Sequence, residues 1–321
     1  MPSSISSSEA TSGTGGSTCI GHRHLILILA VLMVSTIGIE SGVRLGFARV
    51  SRIERRVRTE HAAALNLRRS ASMSPVHLAG DSMLLMDVDI KLLSRTLRGK
   101  VSLQRFSVEQ TTYLDSLFGL RRLFAEGSRP AVVVLCLAPD SLTSGSIRGD
   151  YSAFYLFKLD DIAAVSRRAN YDLTKESSLL FAHYSLFYAG RANLRNFVIS
   201  TVFPSYSHTL HDLLTHGSPP ISDEEFLRIL EPRFRELERL CVSYGAHLVY
   251  VMPPGFGIPE RAILQAGSQA GAAVLHPVHS DAWPQTKFLD GFHLSESSAH
   301  EFTQKLGPSS THCWRHSTEP K

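Results

Sequence analysis

The chain of 321 residues has 43% hydrophobic and 19% charged residues and a formal net charge of +4, material for one large domain or two small ones with a sizeable core. The charge is mild and no long lysine–arginine block is interleaved with aromatics, which argues against a nucleic-acid partner. Cys19, Cys136, Cys241 and Cys313 are scattered without a Cys-x-x-Cys, so no disulfide framework is read; Cys136 in an apolar strand and Cys241 in a helix read as buried thiols.

In chain order, residues 1–24 are rich in Ser, Gly and Thr and read as a disordered leader. Leu25 to Ile39 is an unbroken apolar run, shorter than the ~20 residues of a spanning helix. Residues up to Phe47 extend it if Glu40 and Arg44 pair or snorkel. No small-x-small cleavage site follows, so a retained transmembrane anchor over 25–47 is expected, with a buried core helix as the alternative. Arg44, Arg49, Arg52, Arg55, Arg56 and Arg58 come after the run and only Arg23 before it, which by the positive-inside rule puts the following domain in the cytoplasm. Residues 48–74 read as a basic helical stalk, with Val50, Ile53, Val57 and Leu65 at near-helical spacing. Such a stalk either lies against anionic headgroups or is simply solvated.

From Pro75 to Leu306 strand and helix patterns alternate. Short apolar runs at 76–79, 101–106, 131–137, 247–252 and 273–275 are separated by helical stretches at Met83–Leu97, Tyr113–Ala125, Ser222–Ser243 and Pro259–Gly267. The rhythm predicts an α/β domain with a parallel five-stranded sheet between helical layers. A helical insertion at 143–220 interrupts it after the third strand. Its aromatics, Tyr151, Phe154, Tyr155, Phe157, Phe181, Tyr184, Phe187 and Tyr188, either pack the insert on the sheet or line a lid or acyl groove. Residues 307–321 lose periodicity and read as a disordered tail.

The first strand ends in Gly80-Asp81-Ser82, the only Gly-Asp-Ser of the chain, and a helix pattern follows. Ligands bind at the carboxyl ends of strands in open parallel sheets, and a serine there is a nucleophile once a base takes its proton. The only Asp-x-x-His is Asp290-Gly291-Phe292-His293, beyond the last strand. A first strand inside the sheet shares one rim with that loop, so Ser82, His293 and Asp290 can meet as nucleophile, base and orienting acid. Against this, Ser82 fits a plain helix cap and His293 an ordinary histidine entering a helix capped by Ser295. His276-x-x-His279-x-Asp281 looks like a metal fragment without a fourth ligand and reads as a loop with surface histidines, as do His208, His211 and His216. No metal and no cofactor are expected.

Gly80-Asp81-Ser82 and Asp290-Gly291-Phe292-His293-Leu294, in this order at the two ends of an α/β pattern, resemble the first and last blocks of the SGNH (GDSL-type) hydrolase superfamily. The resemblance covers roughly Pro75 to Leu306 and implies a flavodoxin-like three-layer fold. It also implies Ser82 as nucleophile, His293 as base, Asp290 as its partner, and acyl-ester chemistry on carbohydrate or lipid. A membrane-anchored version looks like proteins that acylate or deacylate cell-envelope polysaccharides beside envelope-biosynthesis partners, which implies an extracytoplasmic domain, opposite to the arginine count. Two blocks depart from the pattern. The second lacks its glycine, reading Ser107-Val108-Glu109-Gln110-Thr111, and the third has Pro139 for its oxyanion-donating asparagine, in Leu137-Ala138-Pro139-Asp140. Gln110 or Thr111 then stand in as donors, Gly80 and Asp81 support the turn, and Asp140 is a remnant of its block.

Overall fold

A computed structural model describes residues 22–68, 73–97, 101–203, 221–279 and 282–316. The leader up to residue 21, the end of the insertion (204–220, with His208, His211 and His216), Asp281 and residues 317–321 lie outside the described residues. Five strands, β1 (Ser74–Gly80), β2 (Val101–Ser107), β3 (Val132–Cys136), β4 (His247–Val251) and β5 (Ala273–Leu275), form one parallel sheet in the order β2-β1-β3-β4-β5. β1 therefore lies inside the sheet, and all five strands point their carboxyl ends at one rim.

β3 is Val-Val-Val-Leu-Cys and every residue of it is buried, the continuous apolar run of a strand covered on both faces. Alternate residues serve two cores. Val133, Leu135, Leu248 and Tyr250 face α5 (Tyr113–Ala125), α11 (Asp223–Ser243) and α12 (Glu260–Ala270). Val132, Val134, Val249 and Val251 face α3 (Ser82–Asp87), α4 (Ile90–Thr96) and α13 (Glu296–His316). Ser222 caps α11 as the sequence implies, accepting from the Glu225 N–H, with Asp223, Glu224 and Glu225 in the first turn.

Four readings of the sequence change. The Met83–Leu97 helix is two helices, because Val88 is extended and Asp89 caps the second through the Leu92 N–H at 3.0 Å. The tail does not end in disorder at Leu306: α13 runs on through Gly307 and Pro308 to His316, with Phe302 and Leu306 buried and Gly307 pressed on Thr96. The supposed stalk is no stalk. α2 (Arg52–Leu65) packs along the β2 edge with Val57 and Ala64 fully buried. Two of its arginines are paired in place, Arg58 on Glu54 at 2.8 Å and Arg56 on Glu109 at 2.5 Å. Arg56 also donates to the Ser107 carbonyl at the end of β2, whereas Ala64 and Leu67 accept from Ser128 and Arg129 ahead of β3. α2 thus runs antiparallel to the strands and enters the domain at their carboxyl rim.

The fourth change concerns the insertion's aromatics, which divide into a buried set and an exposed set. In the first half, α7 (Asp150–Tyr155) and α8 (Ile162–Arg168), Tyr151, Tyr155 and Phe157 are buried. Both tyrosine hydroxyls bond the buried Glu54 carboxylate, and Phe157 meets Phe118 edge-on. In the second half, α9 (Leu173–Tyr184) and α10 (Leu186–Val202), Phe181, Tyr184 and Phe187 are exposed. α1 (His22–Val50) is long and apolar enough to cross a membrane, and its apolar stretch is exposed throughout. Glu40 and Arg44 do pair, at 2.5 Å.

Candidate active site

The Gly80-Asp81-Ser82 turn is fixed by close packing. A Cβ on Gly80 would lie 2.2 Å from the Cys136 carbonyl oxygen, so only glycine lets β1 turn this tightly against β3. Asp81 is a bracket. Its Oδ1 accepts from the Met83 N–H at 2.9 Å, capping α3, and its Oδ2 accepts from the Ala138 N–H and the Ser141 hydroxyl, both at 3.3 Å. Burial raises its pKa to about 6, against these hydrogen bonds. Ser82 is thereby set half-buried in the first turn of α3, where a helix leaves its N–H groups without intrahelical acceptors.

The base arrives from the far end of the chain. Asp290 Oδ1 accepts the Phe292 and His293 backbone N–H groups at 3.0 and 2.7 Å, folding a turn around Gly291 with its φ of +81°. Its Oδ2 lies 2.8 Å from His293 Nδ1, and His293 Nε2 lies 2.9 Å from Ser82 Oγ. The structure brings Ser82, His293 and Asp290 together. Burial works to raise the Asp290 pKa, but the His293 ring and the two N–H groups outweigh it and hold the carboxyl at about 2. An ionised carboxylate only accepts, so Nδ1 carries the ring proton and Nε2 faces the serine hydroxyl as an acceptor. Ser82 does not itself cap the helix. That role belongs to Asp81, which removes the plain-cap reading.

Asp87, which the sequence offered only as a helix interior, is the missed partner. Its Oδ1 accepts the Leu294 N–H at 2.9 Å, stitching the serine helix to the histidine loop. Burial pushes its pKa up to about 7. Its two neighbours in Asp87-Val88-Asp89 are the only signal, a helix-breaking spacing of acids.

The proposed oxyanion substitutes are not at the site. Thr111 is buried with its hydroxyl on the Val108 carbonyl at 2.8 Å. Gln110, exposed at a left-handed φ of 63°, faces an outer cavity with Arg148 and Arg195. The Ala138 N–H is taken by Asp81 and Pro139 has none, which leaves the Ser82 N–H, in the first turn of α3, as the backbone donor beside the hydroxyl. Asp140 is exposed and lines a pocket of about 150 Å³ beside the triad. Met83, Ala138, Pro139, Phe292 and the Pro253-Pro254-Gly255-Phe256-Gly257-Ile258 loop line this pocket. Among the described residues none of the insertion's aromatics lines it.

His276 and His279 acquire a partner that the motif did not show. Glu260 sits 3.0 Å from His276 Nε2 and 3.4 Å from His279 Nδ1. Among the described residues this is the cluster whose ligand atoms converge within 4.8 Å, and hydrogen bonds to Glu260 account for both rings.

No family model and no curated protein matches the chain. Solved structures are similar to it. TesA aligns at 13% identity and a TM-score of 0.39, over 74% of this chain and 98% of its own. A monoethylphosphonate-inhibited structure of the psychrotrophic esterase EstA from Pseudoalteromonas sp. aligns at 13% identity and a TM-score of 0.36, over 75% of this chain and 99% of its own.

Proposed function

We propose that the chain is a membrane-anchored, serine-dependent acyl-ester hydrolase or O-acyltransferase of SGNH type, acting on cell-envelope carbohydrate or lipid. One observation carries the reading: Ser82 Oγ, His293 Nε2, His293 Nδ1 and Asp290 Oδ2 lie in a relay with links of 2.9 and 2.8 Å. Ser82 Oγ attacks the ester carbonyl carbon while its proton passes to His293 Nε2, and Asp290 stabilises the imidazolium. The C–O bond to the leaving alcohol breaks, His293 returns the proton to that oxygen, and the acyl group stays on Ser82. Water or a sugar hydroxyl, deprotonated by the same imidazole, then takes the acyl group. The half-apolar pocket against Met83 and Phe292 suits the acyl chain or the alcohol. α1 supplies the anchor, and the domain is placed on the extracytoplasmic face, against the arginine count. Protease shaving of intact cells reads the side.

A fluorophosphonate probe tests the first half-reaction. It should label the wild type and spare Ser82→Ala; equal labelling of both removes the nucleophile. A second reading rests on Pro139 and the glycine-free second block: a catalytically weak or inactive SGNH-like domain that binds envelope glycan or a partner enzyme. Wild-type protein that binds glycan yet resists the probe supports it.

A further inference from the structure

We propose that the α9–α10 corner is a second membrane contact, docked in the headgroup layer of a phospholipid bilayer beside the anchor. The proposal rests on reading α1 as that anchor. Three observations converge on it. First, the corner is bolted to α1 at the level where the apolar run stops. Glu40 accepts from the Ser185 hydroxyl at 2.8 Å and from the Leu186 and Phe187 N–H groups at 2.8 and 3.1 Å, closing the start of α10. Arg44 donates to the Tyr184 carbonyl at 2.7 Å. Further along, Phe47 is buried and lies against Gly190. The two helices therefore leave this level side by side, and the corner is the end of the insert nearest the apolar part of α1.

Second, the surface at that level is apolar and unburied. Phe181 and Tyr184 are 63% and 60% exposed, with Leu180 and Phe187 beside them. Glu40 and Arg44 join the patch to the end of the exposed run Leu25–Ile39, with Arg44 itself exposed beside Tyr184, and Arg49 and Arg52 follow along the chain. Aromatics beside arginines are the composition of a membrane–water interface.

Third, the unbroken apolar part of the Arg23–Phe47 helix is short, so a full span needs residues 40–47, to which the corner is bound, at membrane depth. Leu25 to Ile39 is fifteen residues, about 22 Å of helix at ~1.5 Å per residue against a hydrocarbon core of ~30 Å. An apolar run that short draws the adjoining residues toward the interface. Glu40 tolerates that depth because four groups satisfy its carboxylate: Arg44, Ser185 and two backbone N–H groups.

Depth-dependent fluorescence quenching tests the contact with the full chain in phosphatidylcholine–phosphatidylglycerol vesicles free of other proteins. Single tryptophans are placed by Tyr184→Trp, Phe181→Trp, Leu32→Trp on the span and Leu264→Trp on the exposed face of α12, with Trp283→Phe and Trp314→Phe as background. Lipids brominated high on the acyl chain should quench positions 184 and 181 about threefold or more over position 264. Glu40→Ala should lower quenching at 184 and leave 32 unchanged. Quenching at 184 and 181 equal to that at 264, with 32 still quenched, overturns the contact and leaves the anchor standing. Loss of quenching at 32 as well overturns the anchor and the contact with it. Neither outcome touches the nucleophile assignment, which Ser82 labelling reads separately.

Discussion

The rim of the sheet has two halves built to different standards. On the proton-transfer side every group is placed. Asp290 folds its own turn and orients His293, and Asp81 and Asp87 tie both ends of α3 into the site. On the charge-stabilising side, Pro139 has no N–H to give, the Ala138 N–H is spoken for, and Gln110 looks elsewhere. Proton relay and oxyanion stabilisation are thus separable, and a chain can keep the first while thinning the second.

That contrast breaks most directly at Asp290. Asp290→Asn keeps the turn's acceptor but favours the wrong imidazole tautomer, so kcat on a p-nitrophenyl ester should fall by about 10⁴-fold. A drop of only a few-fold would mean that the relay is not what limits the rate. Gly80→Ala, which sets a methyl against the Cys136 carbonyl and parts the two halves, should cost about 3 kcal/mol in denaturant melts and abolish probe labelling. On the thinner side the informative change is a gain. Pro139→Asn restores a side-chain donor and should raise kcat by about 10²-fold; an unchanged rate would show that the oxyanion is already fully met.

The last effect is on stability alone. Burial holds Asp87 at about 7 in the folded chain, above its unfolded value near ~4, so its contribution is intact below ~4 and lost as pH rises through about 7. The loss runs at up to ~1.4 kcal/mol per pH unit in that window. Asp87→Asn keeps an acceptor for the Leu294 N–H and should match the wild type near pH 4 but melt higher at pH 8. Parallel melting curves at both pH values would contradict the assignment.

The strands and the triad were legible because each is a local signal. Valine runs mark strands covered on two faces, and a tight Gly-Asp-Ser turn and an Asp-x-x-His turn each fold within a few residues. What escaped depends on partners distant in sequence. The arginines of α2 look like a solvated charge run until Glu60, Glu109 and Glu54 meet them. Asp87 looks like a helix residue until Leu294 arrives, and Gly307-Pro308 looks like a stop until Thr96 holds the helix beneath it. The insertion's aromatics carry no local mark that separates the buried Phe157 from the exposed Phe181.

Ser82 and His293 stand 211 residues apart in the chain. During synthesis, α1 and the serine turn leave the ribosome long before the imidazole does. Until the last loop docks on Asp87, the nascent polypeptide carries an ordinary alcohol at position 82, and the relay closes only with the final helix.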